Sequence, residues 1–333
     1  MTRFLTSLKS LRIDIMAHSK QDPTGQAKNR KRAYNVIEKR ITTSEKAIKG
    51  IFKKIKAIPS KQTVIINKGS QLTNEKETIY NYEISPQDLV SLNDSILYIL
   101  NNELLETQNE TIPLRWYWKD QIEQPARQGA IEEIRDFSQE IAIAASLGFF
   151  AGKIRPEVPE VGQVLFSDTY RNQLELSYLD NFVAIKGLSD DTAKHVYRVI
   201  KDGISSGLKP AEISRQITER FNVSKSGAKR ITNTSINSAY NNSRLAMTKE
   251  LEKQTNTRAG VIHVSALLQT TRSWHAERHG NAYTVEAQLQ WWSEDGNRIN
   301  CHCTTRSILV NDIGEVVNTD LKESLEKEKD FFK

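Results

Sequence analysis

Residues 202–244 read DGISSGLKPAEISRQITERFNVSKSGAKRITNTSINSAYNNSR, and this stretch decides the fold class. Gly207 is placed to end a helix, because glycine enters the left-handed cap conformation without steric penalty. Pro210 suits the first turn of the next helix, where a missing N–H leaves no bond unmade. Ile213, Ile217 and Phe221 then recur on one helical face. Ser224 or Ser226 is expected to open a further long helix through Ala228, Ile231, Ala239, Leu245, Ala246 and Leu251. Just upstream, Ser189 followed by Asp190 and Asp191 predicts an N-cap with acids in the first turn. Ala193, Val196, Val199, Ile200 and Ile204 form the stripe of that helix. Apolar steps of three and four, and not of two, make the body helical.

Working towards the N-terminus, Pro156 and Pro159 mark a break. A helix is expected over residues 129–147 and another over 112–128, bent or broken at Pro125. Trp116, Trp118 and Phe137 are expected to anchor their packing. Ser85-Pro86-Gln87-Asp88 is a helix start, followed by Leu89, Leu92, Ile96, Leu97 and Leu100. Residues 61–82 are polar and predict a loop, or a weak strand around residues 63–66. Residues 33–58 predict an amphipathic helix with a basic outer face, stopped near Pro59. Residues 22–32 predict a loop, and Phe4, Leu5, Leu8, Leu11 and Ile15 a second amphipathic helix.

Past residue 257 the pattern changes. Residues 261–264 and 304–310 predict strands, and Asn311 to Gly314 turns the second towards Glu315, Val316 and Val317 as a hairpin. Residues 321–333 are charged and helical or frayed. The expected fold is therefore mainly α with a small C-terminal α+β module, a helical body plus an antiparallel hairpin. The expected domains are a basic arm with an amphipathic helix (1–60), a helical body (61–187) and a C-terminal domain (188–333).

Of the 333 residues, 38% are hydrophobic and 26% charged, within the range of a folded soluble chain. The most apolar stretch, residues 141–151, is too short to span a bilayer, so no membrane partner is expected. The N-terminal segment lacks the continuous apolar core of a secretory signal. Two cysteines, Cys301 and Cys303, exclude a disulfide framework, and a bond between them would close a strained ring. A reducing, intracellular origin is expected. The net charge of +6 is unevenly spread: residues 1–56 carry 15 Lys/Arg against 4 Asp/Glu, and the remainder 32 against 37. Arg30, Lys31, Arg32, Lys39, Arg40, Lys53 and Lys54 are the expected contacts to nucleic acid or an acidic partner, the alternative being a solvated arm.

One constellation carries chemistry. His275 and His279 lie four apart, and Cys301 and Cys303 come later with His302 between them. Imidazole and thiolate are the usual zinc ligands, and two of each complete a tetrahedron. Zinc in a closed, structural role is the cofactor expected at His275, His279, Cys301 and Cys303. The alternative is that the cysteines pack as small apolar groups and the histidines hydrogen-bond within the fold. A metal-dependent hydrolase or nuclease using the same four residues, and a DNA-binding protein with a zinc-stabilised module, are the competing functional readings. No phosphate-binding loop of the Walker type occurs.

Taken together, residues 202–244 and the His/Cys-bearing segment beyond them resemble the phage Mu F-like minor head proteins of the phage head morphogenesis family. Arg230-Ile231-Thr232-Asn233-Thr234, then Ala239-Tyr240-Asn241 with Arg244, occupy the places of that family's pattern. Thr271-Arg272, His275, Gly280, Trp291 or Trp292, and Asn300-Cys301-His302-Cys303 come after them in the family's order. The resemblance covers residues 188–310, more loosely the helices before them. Asn233 stands where the family has Glu, Leu268 or Gln269 where it has Asp, and His302 where it has Arg. Lost acids weaken proton-transfer chemistry more than scaffolding. The resemblance implies a non-enzymatic minor capsid protein of a tailed bacteriophage, inside the virion near the portal vertex and assembled in the host cytoplasm. It also implies portal protein, major capsid or scaffolding protein and packaged double-stranded DNA as partners, in head assembly, packaging or ejection. Arg230, Tyr240, Asn241, Arg244, Arg272 and Trp291 would stabilise the domain or form its partner face.

Overall fold

A computed structural model describes residue 19 and residues 21–68, 71–108 and 112–329. The helix expected over Phe4 to Ile15 lies outside the described residues. The protein is mainly helical with a small α+β module towards the C-terminus, as the periodicity predicts. The elements are α1 (Ala27–Phe52), β1 (Ala57–Lys68), β2 (Gln71–Tyr82), α2 (Pro86–Leu105), α3 (Glu123–Ser146), α4 (Val161–Leu165), α5 (Asp168–Ser205) and α6 (Pro210–Thr255). The module adds β3 (Ala259–Val264), α7 (Ser273–Glu277), β4 (Ala282–Tyr283), α8 (Val285–Ser293), β5 (Thr304–Leu309) and α9 (Thr319–Lys329).

The described residues form two compact units, both built from separated stretches of chain. One takes the described residues of 1–33, 116–180 and 232–333, the other those of 34–115 and 181–231. The expected limits at 60/61 and 187/188 fall inside β1 and α5.

In the second unit, Ile37, Ile41 and Ile48 of α1, Leu92, Ile96 and Leu100 of α2, Val196 and Ile200 of α5, and Ile213, Ile217 and Phe221 of α6 are all buried. Each contributes about 1.5–3 kcal/mol through removal of apolar surface from water. Ser85 caps α2 as predicted: its hydroxyl accepts from Asp88 N–H, and Asp88 reaches back to the Ser85 N–H. β1 and β2 pair antiparallel from Ala57 opposite Tyr82 to Lys68 opposite Gln71. Of the two expectations for residues 61–82 the strand around residues 63–66 is the one found, lengthened into a full hairpin, and Pro59 lies within β1 instead of ending α1. α1 itself starts at Ala27, inside the predicted loop, because Asp22 accepts from the Ala27 N–H and supplies the missing cap.

Two expected helix starts are absorbed into longer helices. Ser189 lies inside α5, buried, donating to Asn101 Oδ1 at 3.0 Å, and Asp190 pairs with Lys186 one turn back. Ser224 and Ser226 lie inside the 46-residue α6 and bond the carbonyls of Arg220 and Asn222. Gly207 (φ +63°) does end the preceding helix, and Pro210 opens α6.

In the first unit, a π-helical turn over Trp118–Ile122 runs straight into α3, so Pro125 breaks nothing. Glu123 N–H already bonds five residues back to Trp118 O, and the proline falls where the bonding register is shifted. Phe137 is buried as expected, and so is Tyr117; Trp116 and Trp118 are only half-buried, Trp118 edge-on to Tyr178. Phe137 and Ile141 of α3 pack with Met247 and Leu251 of α6 and Leu309 of β5.

The module's sheet has the order β4-β3-β5, all antiparallel. Its central strand shows the period of two: Val261 packs with Trp292 and Val285 of α8, whereas Ile262 and Val264 pack with Ile308 and with Leu325 of α9. β5 pairs with β3, and the expected hairpin to residues 315–317 is reduced to a single bridge, Val310 to Val316.

Candidate metal centre and its support

Cys301 and Cys303 precede β5 in extended chain, where residues two apart project to the same side. Asn300, with φ of 56°, turns the chain into this segment. α6 grips it: Asn237 Nδ2 donates to Cys301 O at 2.6 Å and Asn241 Nδ2 to Cys303 O at 2.9 Å. Four residues of helix rise about 6 Å and two of strand about 6.6 Å, so an i,i+4 asparagine pair matches a C-x-C backbone. Thr304 Oγ1 closes the grip by donating to Asn241 Oδ1 at 2.7 Å.

His275 sits on the single turn α7, with Nδ1 3.5 Å from both sulfurs. Its Nε2 lies 3.1 Å from Arg272 Nη1. Arg272 also donates to Ile299 O at 2.6 Å and meets the carbonyls of Asn297 and Gly296 at 3.3 and 3.4 Å. The Trp291 ring stands edge-on to His275, centroids 4.7 Å apart, and carries Arg278 on its face at 4.3 Å. Arg272 and Trp291 thus both brace His275.

The second imidazole of the cluster is one that the sequence reading does not single out. His263 of β3, His275 and Cys303 place one ligand atom each within 4.8 Å of one another, all buried. His263 Nδ1 lies 3.3 Å from Gln288 Oε1, and among the described residues Nε2 has no hydrogen-bond partner. The available signal was the lone imidazole in the apolar run Val261-Ile262-His263-Val264, on the face opposite Ile262.

His279 does not enter this cluster. Its Nδ1 accepts from the Ser265 N–H at 2.9 Å, and its Nε2 lies 3.6 Å from Glu328 of α9. Burial pushes its pKa down to about 4 despite Glu328. Gly280 (φ +77°) lets the chain pass under α9, where a Cβ would stand 3.0 Å from Glu326 N. The two thiols share protons unequally. The hydrogen bond with Cys301 pulls Cys303 towards thiolate, helped by His263 and His275, and pushes Cys301 the other way. His302 points elsewhere, near Arg30 and Asp22.

Behind the cluster lies a buried ionic network. Arg244 of α6 pairs with Asp136 at 2.5 Å and Glu133 at 2.8 Å, and Arg306 of β5 reaches Asp136 at 3.3 Å. Tyr240 donates to Glu132 at 2.5 Å, and Thr248 to Glu133 at 2.7 Å. Burial raises Glu133, against the pull of Arg244. It raises Glu140 to about 7, with Asn318 donating to it at 2.9 Å. Tyr240, Asn241 and Arg244 therefore act inside the unit, while Arg230 is exposed in the other one.

The expected basic contacts divide. Arg30 is only 7% exposed and bonds Asp22, Thr24 and Asn237. Arg32 bonds Gln121, Gln124 and the Asp120 carbonyl, and Arg40 bonds Glu106 and the Glu103 carbonyl. Lys31, Lys39, Lys53 and Lys54 are exposed.

Residues 194–306 match a family model described as Phage Mu protein F like protein. The chain thus carries a Mu F-like domain in its C-terminal part, as Arg230 to Arg244, His275 and Cys301-His302-Cys303 had suggested, and that family is one of phage head morphogenesis. The match spans less than half of the chain and touches both compact units. No curated protein and no solved structure matches it significantly. Among the described residues, no helix is long and apolar enough to cross a membrane.

Proposed function

We propose that the protein is a minor head component of a tailed bacteriophage, held inside the capsid near the portal vertex and acting in head assembly and in DNA packaging or ejection. The observation that carries this reading is the Mu F-like match over residues 194–306. Its partners are the portal protein and the major capsid or scaffolding protein. Exposed Lys31, Lys39, Lys53 and Lys54 supply a salt-sensitive contact to packaged double-stranded DNA. Burial of His263, His275, Cys301 and Cys303 away from a substrate supports attachment as the task, without turnover.

Co-expression with the portal and major capsid proteins of the same phage tests the assignment. Portal particles purified by sedimentation are expected to carry the protein in fixed, low stoichiometry by quantitative mass spectrometry. Co-sedimentation absent in low and physiological salt alike, with the protein also missing from purified virions, overturns it.

A further inference from the structure

We propose that His263, His275, Cys301 and Cys303 bind one zinc ion as a closed tetrahedral site that locks the C-terminal module. This goes beyond the head-protein reading and stands or falls without it. The metal joins β3, α7 and the segment leading into β5, and its fourth ligand is the strand histidine, not His279.

Three features of the geometry carry the assignment. Each sulfur lies 3.5 Å from His275 Nδ1. Zinc bonds of about 2.3 Å to sulfur and 2.0–2.1 Å to nitrogen at the tetrahedral angle place the two atoms about 3.6 Å apart. The thiols and His275 are therefore already spaced as the edges of such a site. Next, His263 is fully buried with an unpartnered Nε2, while its Nδ1 faces Gln288 Oε1. An imidazole whose far nitrogen donates to an amide oxygen has its tautomer fixed and presents the other lone pair, the usual outer-shell arrangement of a ligating histidine. A buried ring nitrogen without a partner is otherwise costly by about 1–3 kcal/mol. Finally, both cysteine carbonyls are gripped by Asn237 and Asn241, so the thiols are held before any metal arrives.

Arg272 sets one condition. A neutral His275 bound through Nδ1 carries its proton on Nε2, which faces the Arg272 donor at 3.1 Å. The guanidinium keeps the carbonyls of Ile299, Asn297 and Gly296, so metal loading gives up that single contact. His279, already engaged by the Ser265 N–H, stays outside the coordination sphere, its Nε2 3.6 Å from Glu328.

The test uses the purified full chain, loaded with zinc chloride or with cobalt chloride as a spectroscopic probe. One zinc per chain is expected, with a sulfur-to-cobalt charge-transfer band and intense tetrahedral d–d bands. X-ray absorption of the zinc form of the unmutated chain should give two sulfur and two nitrogen neighbours, at about 2.3 and 2.0–2.1 Å. His263→Gln and Cys303→Ser should each lower zinc affinity at least tenfold, while His279→Gln keeps full stoichiometry. The unmutated chain needs no variant to fold, and circular dichroism checks the variants. Sub-stoichiometric zinc after dialysis, or a shell of nitrogen and oxygen only, overturns the proposal. So does retention of zinc by His263→Gln together with its loss from His279→Gln.

Discussion

Arg244 is nearly sealed from solvent and faces Glu133 and Asp136 together, so its removal strands two carboxylates in a low-dielectric interior. Arg244→Met is expected to destabilise the first unit by about 3–5 kcal/mol in urea unfolding, because an unpaired buried charge costs more than the pair contributes. Tyr240→Phe removes only the hydroxyl on Glu132 and should cost about 1.5–3 kcal/mol. Glu140 sets a pH dependence. Folded, it keeps its proton up to about 7, against a usual value of 4.5, through burial first and then partly offset by Asn318 and Arg306. The native state therefore binds more protons between those values, and stability falls as pH rises through that window. At about 1.4 kcal/mol per pKa unit the loss is about 3.5 kcal/mol, complete above pH 7. Glu140→Gln should flatten the slope of unfolding free energy between pH 4.5 and 8; an unchanged slope assigns it to other groups. At this scale the sequence was partly legible. Cys301, Cys303 and His275 announce themselves by type and spacing. His263 does not, since it lies 38 residues before Cys301 and strand pairing alone brings it close.

Elements meet here through close backbone approaches that only glycine permits. A Cβ on Gly129 of α3 would collide with the Tyr240 carbonyl of α6. In an isolated helix Gly→Ala gains about 1 kcal/mol. Here the clash prevails, and Gly129→Ala is expected to destabilise by about 1–3 kcal/mol in thermal melts. Gly207 combines a left-handed backbone with a hairpin contact: Tyr80 N–H donates to its carbonyl, and a Cβ would collide with the Ile79 side chain. Its role as a helix end was readable from composition; its role as a dock for β2 was not, because contact with a distant strand leaves no local signature. The misplaced helix starts have a related cause. Ser189 and Ser224 look like caps, but a serine can equally bond Asn101 or the helix's own carbonyls. Pro125 looks like a break, and a π turn absorbs it.

Across the whole chain, the family-matched segment and the compact units do not coincide. Residues 194–306 lack α3, which supplies Glu133, Asp136, Phe137 and Ile141 to the core of the first unit. A fragment of residues 188–333 is therefore expected to show helix by circular dichroism but no cooperative melting, whereas the full chain melts sharply. A sharp transition in the fragment would mean that α3 is dispensable. The three-part division read from the sequence follows changes of composition along the chain, while the units are defined by contacts between stretches far apart.

That interleaving also bears on synthesis. Asp136 meets Arg306 across 170 residues of chain. At roughly 5–20 residues per second, a ribosome takes roughly ten to thirty seconds to travel from one to the other. Throughout that interval the apolar face of α3 has emerged without Leu309 of the strand that packs on it, so this part of the core closes only after β5 has been made.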